Sequence, residues 1–223
     1  MISEQQWKEG CEFLGVVGDP LGFSSAPSLR ADLSKYLDLL YKKNEELNLT
    51  AIRDPEVGFW KHIMDSLALA QWESLGIVLD WGSGGGLPGI PLALARRSVG
   101  DATPVNFLDS VGKKIKAIEE FGGALELSTS RFFNGRGEDL IKQGKLKGAE
   151  TVVMRAVAPP ERAVEWFHPA IKRWVLLLGP QQRELWAAFE RRARTKGFHV
   201  EREAKYQLPH GHGDRVLLEF LRN

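Results

Sequence analysis

The stretch Ile77-Val78-Leu79-Asp80-Trp81-Gly82-Ser83-Gly84-Gly85-Gly86-Leu87-Pro88-Gly89 decides how this chain is read. A short apolar run ends in an acid and becomes glycine-rich, and Pro88 then opens a second apolar segment, Ile90 to Ala95. That order predicts a buried strand, a tight turn and a helix start. Proline suits the first helical turn, where a missing N–H costs nothing. Glycines supply φ > 0 and let a ligand approach the backbone closely. A plain glycine-rich surface loop would not bring strand, acid, glycines and helix start together.

Two nucleotide-type ligands fit such a turn. Gly84-x-Gly86-x-x-Gly89 matches the dinucleotide fingerprint, but that fingerprint begins directly at the strand end. The glycine next to the strand is Gly82, and counting from it puts Leu87 where the third glycine belongs. The alternative register, Asp80-x-Gly82-x-Gly84-x-Gly86, resembles the first motif of Rossmann-like S-adenosylmethionine (SAM) methyltransferases. SAM has no pyrophosphate, so the turn need only make room for its amino-acid and ribose parts.

Composition sets outer bounds. The 223 residues, 43% of them hydrophobic, suffice for one α/β domain, expected over 71–223, with an N-terminal helical extension over 1–70 packed on it. The net charge of +1 gives no global basic field, so a polyanionic partner must be held by local patches. A single cysteine, Cys11, excludes an internal disulfide and a cysteine metal cluster. The polar start MISEQQWKEG is unlike a signal peptide, and no apolar run approaches a membrane span. A soluble, cytoplasmic and monomeric protein is the expectation.

In chain order, residues 3 to 17 read as a short helix, with Gly15, Gly18, Pro20 and Gly22 breaking the pattern into a loop. Pro27 restarts a helix whose buried stripe is Leu29, Leu33, Tyr36, Leu37 and Leu40. Asp54 and Pro55 open another, as N-cap and first helical residue. It carries His62 and Asp65, three apart on one helical face, which predicts a hydrogen-bonded pair rather than a metal site, because no further ligand is evident.

After Pro88, strands and helices alternate. Strands are expected at Val105 to Asp109, Thr129 to Asn134, Thr151 to Met154 and Trp174 to Leu178. Helices are expected at Gly112 to Leu125, Pro160 to Ala170 and Pro180 to Lys196. Phe198 to Tyr206 and Arg215 to Phe220 are too closely linked for a crossover and should pair as a hairpin. The fold class is therefore α/β, a mostly parallel seven-stranded sheet with a C-terminal antiparallel hairpin. Ligands of such sheets sit beyond the strands' carboxyl ends. Asp109 stands there, placed to bind ribose hydroxyls or to cap the next helix. Glu138 could face an adenine edge or complement a helix dipole, and Arg155 follows the fourth strand among apolar residues.

The combination resembles the RsmG (GidB) family, SAM-dependent methyltransferases of guanine N7 in 16S ribosomal RNA. The matching residues are Asn48-Leu49-Thr50-Ala51-Ile52, His62-x-x-Asp65-Ser66-Leu67, Leu79-Asp80-x-Gly82-Ser83-Gly84-x-Gly86-Leu87-Pro88-Gly89-Ile90-Pro91, Leu108-Asp109-Ser110-x-Gly112-Lys113-Lys114, Gly135-Arg136-x-Glu138-Asp139 and Arg155-Ala156-x-Ala158. The resemblance implies SAM as cofactor and 16S rRNA, or the small subunit, as partner. It puts cofactor contacts on Gly82, Leu87, Asp109, Gly137, Glu138 and Arg155, beside the motif residues Asp80, Gly84 and Gly86, and makes Arg155 the candidate catalytic residue. Two departures stand out. Trp81 is bulky where the family has a small aliphatic residue, and Leu178-Gly179-Pro180 replaces the family's Leu-Lys-Gly.

N7 as acceptor agrees with the residues. It has an in-plane lone pair and no proton, so methylation needs positioning rather than a base. The Asn/Asp-Pro-Pro-aromatic motif of amino-group methyltransferases is missing, and Cys11 lies outside the sheet region. Arg96 and Arg97, Lys113 and Lys114, and Arg136 are the candidate RNA patches. The alternatives are a small NAD-dependent oxidoreductase, which would need a substrate domain the chain has little length for, and a non-catalytic RNA-binding protein, which would not need Gly82, Asp109 and Arg155 intact.

Overall fold

The computed structural model of the protein describes residues 1–72, 74–155, 160–179 and 186–223. The first helix, α1 (Glu4–Val17), is fixed at its start by a capping box in which Ser3 and Gln6 satisfy each other's backbone N–H. The second, α2 (Leu29–Leu47), buries the Leu29, Leu33, Tyr36, Leu37 and Leu40 stripe and ends on Asn48, whose φ of 49° makes the left-handed stop. Asp54 caps α3 (Pro55–Gly58) through the N–H groups of Glu56 and Val57.

The expected single helix beyond Asp54 is not continuous. It passes into a π-helical turn (Phe59–Met64) and then α4 (Asp65–Leu67), with Asp65 N–H reaching back five residues to the Trp60 carbonyl.

The sheet follows the βα repeats. Its strands are β1 (Val78–Trp81), β2 (Val105–Asp109), β3 (Phe132–Asn134), β4 (Thr151–Arg155), β5 (Arg173–Leu178), β6 (Phe198–Leu208) and β7 (Gly213–Arg222), in the order β3-β2-β1-β4-β5-β7-β6. The five-stranded part is parallel; β7 runs antiparallel to β5 and pairs with β6 as the expected hairpin. Strand β3 is shorter than predicted, because Ser130 N–H turns back to the Leu127 carbonyl and Thr129 is consumed in that turn.

Helices cover both faces. On one lie α1, α2, α5 (Gly89–Ser98) and α6 (Gly112–Ala124), sharing a buried layer of Leu14, Leu33, Tyr36, Trp60, Ile90, Phe107, Ile118 and Val175. The other carries α7 (Gly137–Lys142), α8 (Pro160–Glu165) and α9 (Trp186–Thr195) over Leu79, Trp81, Leu108, Trp174, Phe198 and Phe220. Strands buried on both faces explain the mostly apolar residues of β1, β2 and β5. Helix α8 stops at Glu165, short of the expected Ala170, where Trp166 and Phe167 donate to carbonyls only three residues back. Pro180 and Arg183 of the expected arginine-rich helix, and Ala156 to Pro159 after β4, lie outside the described residues.

Candidate functional site

The strand order reverses between β1 and β4, and ligands of open α/β sheets bind at that switch point. A cavity of about 580 Å3 opens there, within the size range of small-molecule sites. Gly82, Ser83 and Gly84 from the turn after β1 line it, with Asp109 from β2, Gly137 and Glu138 from α7, and Arg155 from β4.

The turn is set by its glycines and held from both sides. Gly82, Gly84 and Gly86 have φ of 76°, 57° and 94°. A Cβ on Gly84 would meet nothing nearer than a backbone oxygen at 3.8 Å, so glycine leaves that cavity wall open. Behind the turn, the fully buried Tyr36 hydroxyl donates to the Gly85 carbonyl at 2.9 Å. Leu40 and Leu49 pack where a Gly85 side chain would stand. The N-terminal helices thus buttress the ligand turn.

The start of α5 has no free donor for a pyrophosphate. Gly89 N–H donates to Asp80 Oδ2 at 2.9 Å, Ile90 N–H to the Gly86 carbonyl at 2.7 Å, and Pro91 has none. A dinucleotide site needs those N–H groups. The fingerprint Gly84-x-Gly86-x-x-Gly89 also begins three residues beyond the end of β1 rather than at it.

The acids divide. Asp109, buried, accepts from Gly84 N–H at 2.9 Å through Oδ2 and from Val111 N–H at 2.8 Å through Oδ1. It therefore fixes both the turn and the entry to α6, and a carboxylate has about four acceptor positions, so two remain. Asp80 does not line the cavity, and neither does Gly86. Asp80 is fully buried behind the turn, and desolvation pushes its carboxyl up to about 7 against the pull of the Gly89 N–H. Gly86 is instead packed against the Ile90 side chain. Leu87 and Glu138 line the cavity, and Gly137 lies under the Trp81 ring, where a side chain would overlap the indole.

Arg155 is held in place before any ligand arrives. Its Nη1 donates to the Lys61 carbonyl at 2.8 Å and lies 3.6 Å from Asp65 Oδ2. Asp65 in turn meets Arg215 Nε at 3.2 Å and accepts from the Tyr206 hydroxyl at 2.9 Å. The predicted His62–Asp65 pair does not form. The intervening π turn breaks the three-residue spacing of an α-helix, and His62 Nε2 instead meets Thr50 Oγ1 at 2.7 Å. Burial first, then Arg155, pushes the His62 imidazole down to about 3, so it is neutral. Among the described residues no group of three or more His, Cys, Asp or Glu could hold a metal ion.

One of the three expected RNA patches, Arg96 with Arg97, is consumed within the molecule. Arg96 is buried, bonded to the Gly76 carbonyl and paired with Asp101; Arg97 is paired with Asp32 and bonded to the Leu125 carbonyl. Lys114 and Arg136 do line the cavity, joined by Arg162 and Trp166 of the α8 region, which no sequence signal singled out. Trp81, the family departure, stacks on Trp166 with ring centroids 6.0 Å apart and lies 5.6 Å from Trp174.

The chain is similar to known proteins in sequence and in fold. A family model described as rRNA small subunit methyltransferase G (GidB) matches residues 29–212. The ribosomal RNA small subunit methyltransferase G of Solibacter usitatus is 35% identical over 193 residues, covering 85% of this chain and 89% of its own. That of Myxococcus xanthus is 32% identical over 222 residues, covering 97% and 96%. Among solved structures, the mitomycin 7-O-methyltransferase MmcR superposes with a TM-score of 0.56 at 14% identity, over 100% of this chain and 73% of its own. TrmN from Thermus thermophilus gives 0.51 at 18% identity, over 81% and 53%. At those identities the likeness is one of fold, the Rossmann-like methyltransferase sheet. By the extent of its match to the model and to these relatives, the chain belongs to the rRNA small subunit methyltransferase G (GidB) family.

Proposed function

We propose that this protein transfers the methyl group of SAM to N7 of a guanine in 16S rRNA, free or assembled in the small subunit. One observation carries the reading. In a chain of this family, the glycine turn, Asp109 and Arg155 converge on one cavity at the switch point. The cavity suits SAM in its donor set. Asp109 keeps acceptor positions for the ribose hydroxyls, Glu138 faces the adenine, and Gly82, Gly84, Leu87 and Gly137 give the space between. Arg155, pre-set by Asp65 and the Lys61 carbonyl, holds the methionine carboxylate with a planar fork of donors. Asp80 and Gly86 shape the turn from behind.

Bound SAM supplies an electrophilic methyl group on a positively charged sulfur. The chain's own task is to bring the guanine N7 lone pair in line with it and to exclude water. No proton has to be removed from N7, and the residues are consistent with that. His62 beside Arg155 is neutral and a weak base, and both Asp109 oxygens already serve the backbone. In A-form RNA the N7 edge is sunk in a deep, narrow groove, so the target guanine is unpaired. The protein acts as a monomer in the cytoplasm, where its ribosomal substrate is. The test is transfer of labelled methyl from SAM to purified small-subunit RNA, with the product nucleoside identified. N7-methylguanosine is the expected product; another methylated nucleoside would overturn the assignment of the acceptor.

A further inference from the structure

The cavity carries more positive charge than SAM can use. Four cations line it, Lys114, Arg136, Arg155 and Arg162, against two carboxylates, Asp109 and Glu138. Arg155 is tied to Asp65 and to the Lys61 carbonyl. SAM offers one anionic group, its carboxylate, for all of them. Among the described residues, the side chains of Lys114, Arg136 and Arg162 appear in no hydrogen bond or ion pair, and Arg136 and Arg162 are exposed. Elsewhere the arginines are largely satisfied within the molecule, as Arg96, Arg97, Arg192 and Arg215 are. With a net charge of only +1, unpaired cations gathered at one mouth are a local anion-binding feature.

Beside them stands an aromatic face. Trp166 is half-buried and lines the cavity just beyond the end of α8, so it and Arg162 face the same cavity mouth. Its ring lies against Trp81, at 6.0 Å and 27°, and Trp81 is backed by Trp174. A tryptophan braced in this way has a fixed plane. Cations that track a backbone, interleaved with an aromatic platform, are what an unpaired nucleic-acid strand requires.

We propose that the α8 side of the mouth is the strand-binding wall: Trp166 stacks a base of the unpaired RNA segment, and Arg162 and Arg136 hold phosphates on either side of it. This rests on the RNA methyltransferase reading above and names the residues through which the strand is held. A duplex offers no free base face, so the wall selects single strands. It also gives Trp81 a role, because a small aliphatic residue there would leave Trp166 without support.

The experiment compares wild type with Arg162→Ala, Arg136→Ala, Trp166→Ala and Trp166→Phe. Each is measured for binding a single-stranded ribo-oligomer, the same oligomer with one abasic position, and a duplex of equal length. S-adenosylhomocysteine binding by calorimetry is the parallel readout. Each arginine variant should flatten the slope of log K against log salt by about 0.7. Loss of the Trp166 stack should weaken the single strand by roughly 5- to 150-fold and abolish the preference for the intact over the abasic oligomer. Trp166→Phe, which keeps a ring, should retain much of both. The exposed arginine variants fold regardless of what Trp166→Ala does to the Trp81 contact. Unchanged salt slopes in Arg162→Ala and Arg136→Ala, or a wild type that binds duplex and abasic strands equally well, would overturn the wall while leaving methyl transfer untouched. If wild type binds S-adenosylhomocysteine but transfers no methyl to RNA, the enzymatic reading fails instead, and the oligomer data still decide the wall.

Discussion

Asp109 ties Gly84 and Val111 to the strand end with one carboxylate and keeps acceptor positions for a ribose. Asp109→Ala should weaken S-adenosylhomocysteine binding by ~1.5–3 kcal/mol, the worth of a hydrogen bond to a charged group, in calorimetry on the folded variant. Unchanged affinity would remove Asp109 from the site. Arg155→Ala should lower cofactor affinity by a similar amount and reduce methyl transfer. Arg155→Lys should rescue neither, since an ammonium cannot reproduce the planar fork. Wild-type values in both variants would make Arg155 structural. Asp80 gives a pH signature. Its carboxyl is raised from 3.8 to about 7 in the folded protein. Between those values the unfolded chain releases a proton that the folded one keeps, so wild type should lose stability relative to Asp80→Asn as pH rises from about 4 to about 7, and the gap should then stay constant. Denaturant titrations across that range that show a constant gap throughout would contradict the buried, protonated Asp80. The sequence places Asp80 and Asp109 alike at strand ends. Which of them reaches the cavity depends on strand facing, and strands buried on both sides hide that alternation.

At the scale of elements, the β1–turn–α5 unit explains why glycine is needed beyond the cavity wall. A Cβ on Gly89 would lie 2.5 Å from the Phe107 ring and 2.7 Å from Asp80 Oδ2, so Gly89→Ala must push the helix away from the sheet. Thermal or denaturant unfolding should report a loss of ~1–3 kcal/mol. A neutral result would mean that α5 can shift freely. This unit was legible because strand, glycines and helix start each carry their own signal, as do the Asp54-Pro55 cap and the Leu29-to-Leu40 stripe. The π turn over Phe59–Met64 has no such signature, and with it the true partners of His62 and Asp65 were hidden. Helix α8 is shorter than its apolar pattern suggests, because Phe167 stays buried while the backbone at Trp166 and Phe167 tightens into three-residue hydrogen bonds.

Over the whole molecule, the parallel sheet and its closing hairpin follow from the βα rhythm and one short connection. The charged surface does not follow from sequence in this way. Arg96-Arg97 and Lys113-Lys114 look equivalent as letters, yet the first pair is consumed by Asp101, Asp32 and backbone carbonyls while Lys114 lines the cavity. Pairing is a property of distant residues brought together, and it decides which cations remain for RNA. The central claim, SAM-dependent methylation of guanine N7 in small-subunit RNA, is tested most directly by mapping N7-methylguanine on 16S rRNA from cells with the gene, cells lacking it, and cells carrying Asp109→Ala in its place. The account predicts one modified guanine in unpaired sequence that is lost without the gene and reduced in the variant. An identical N7-methylguanine map in all three would contradict it.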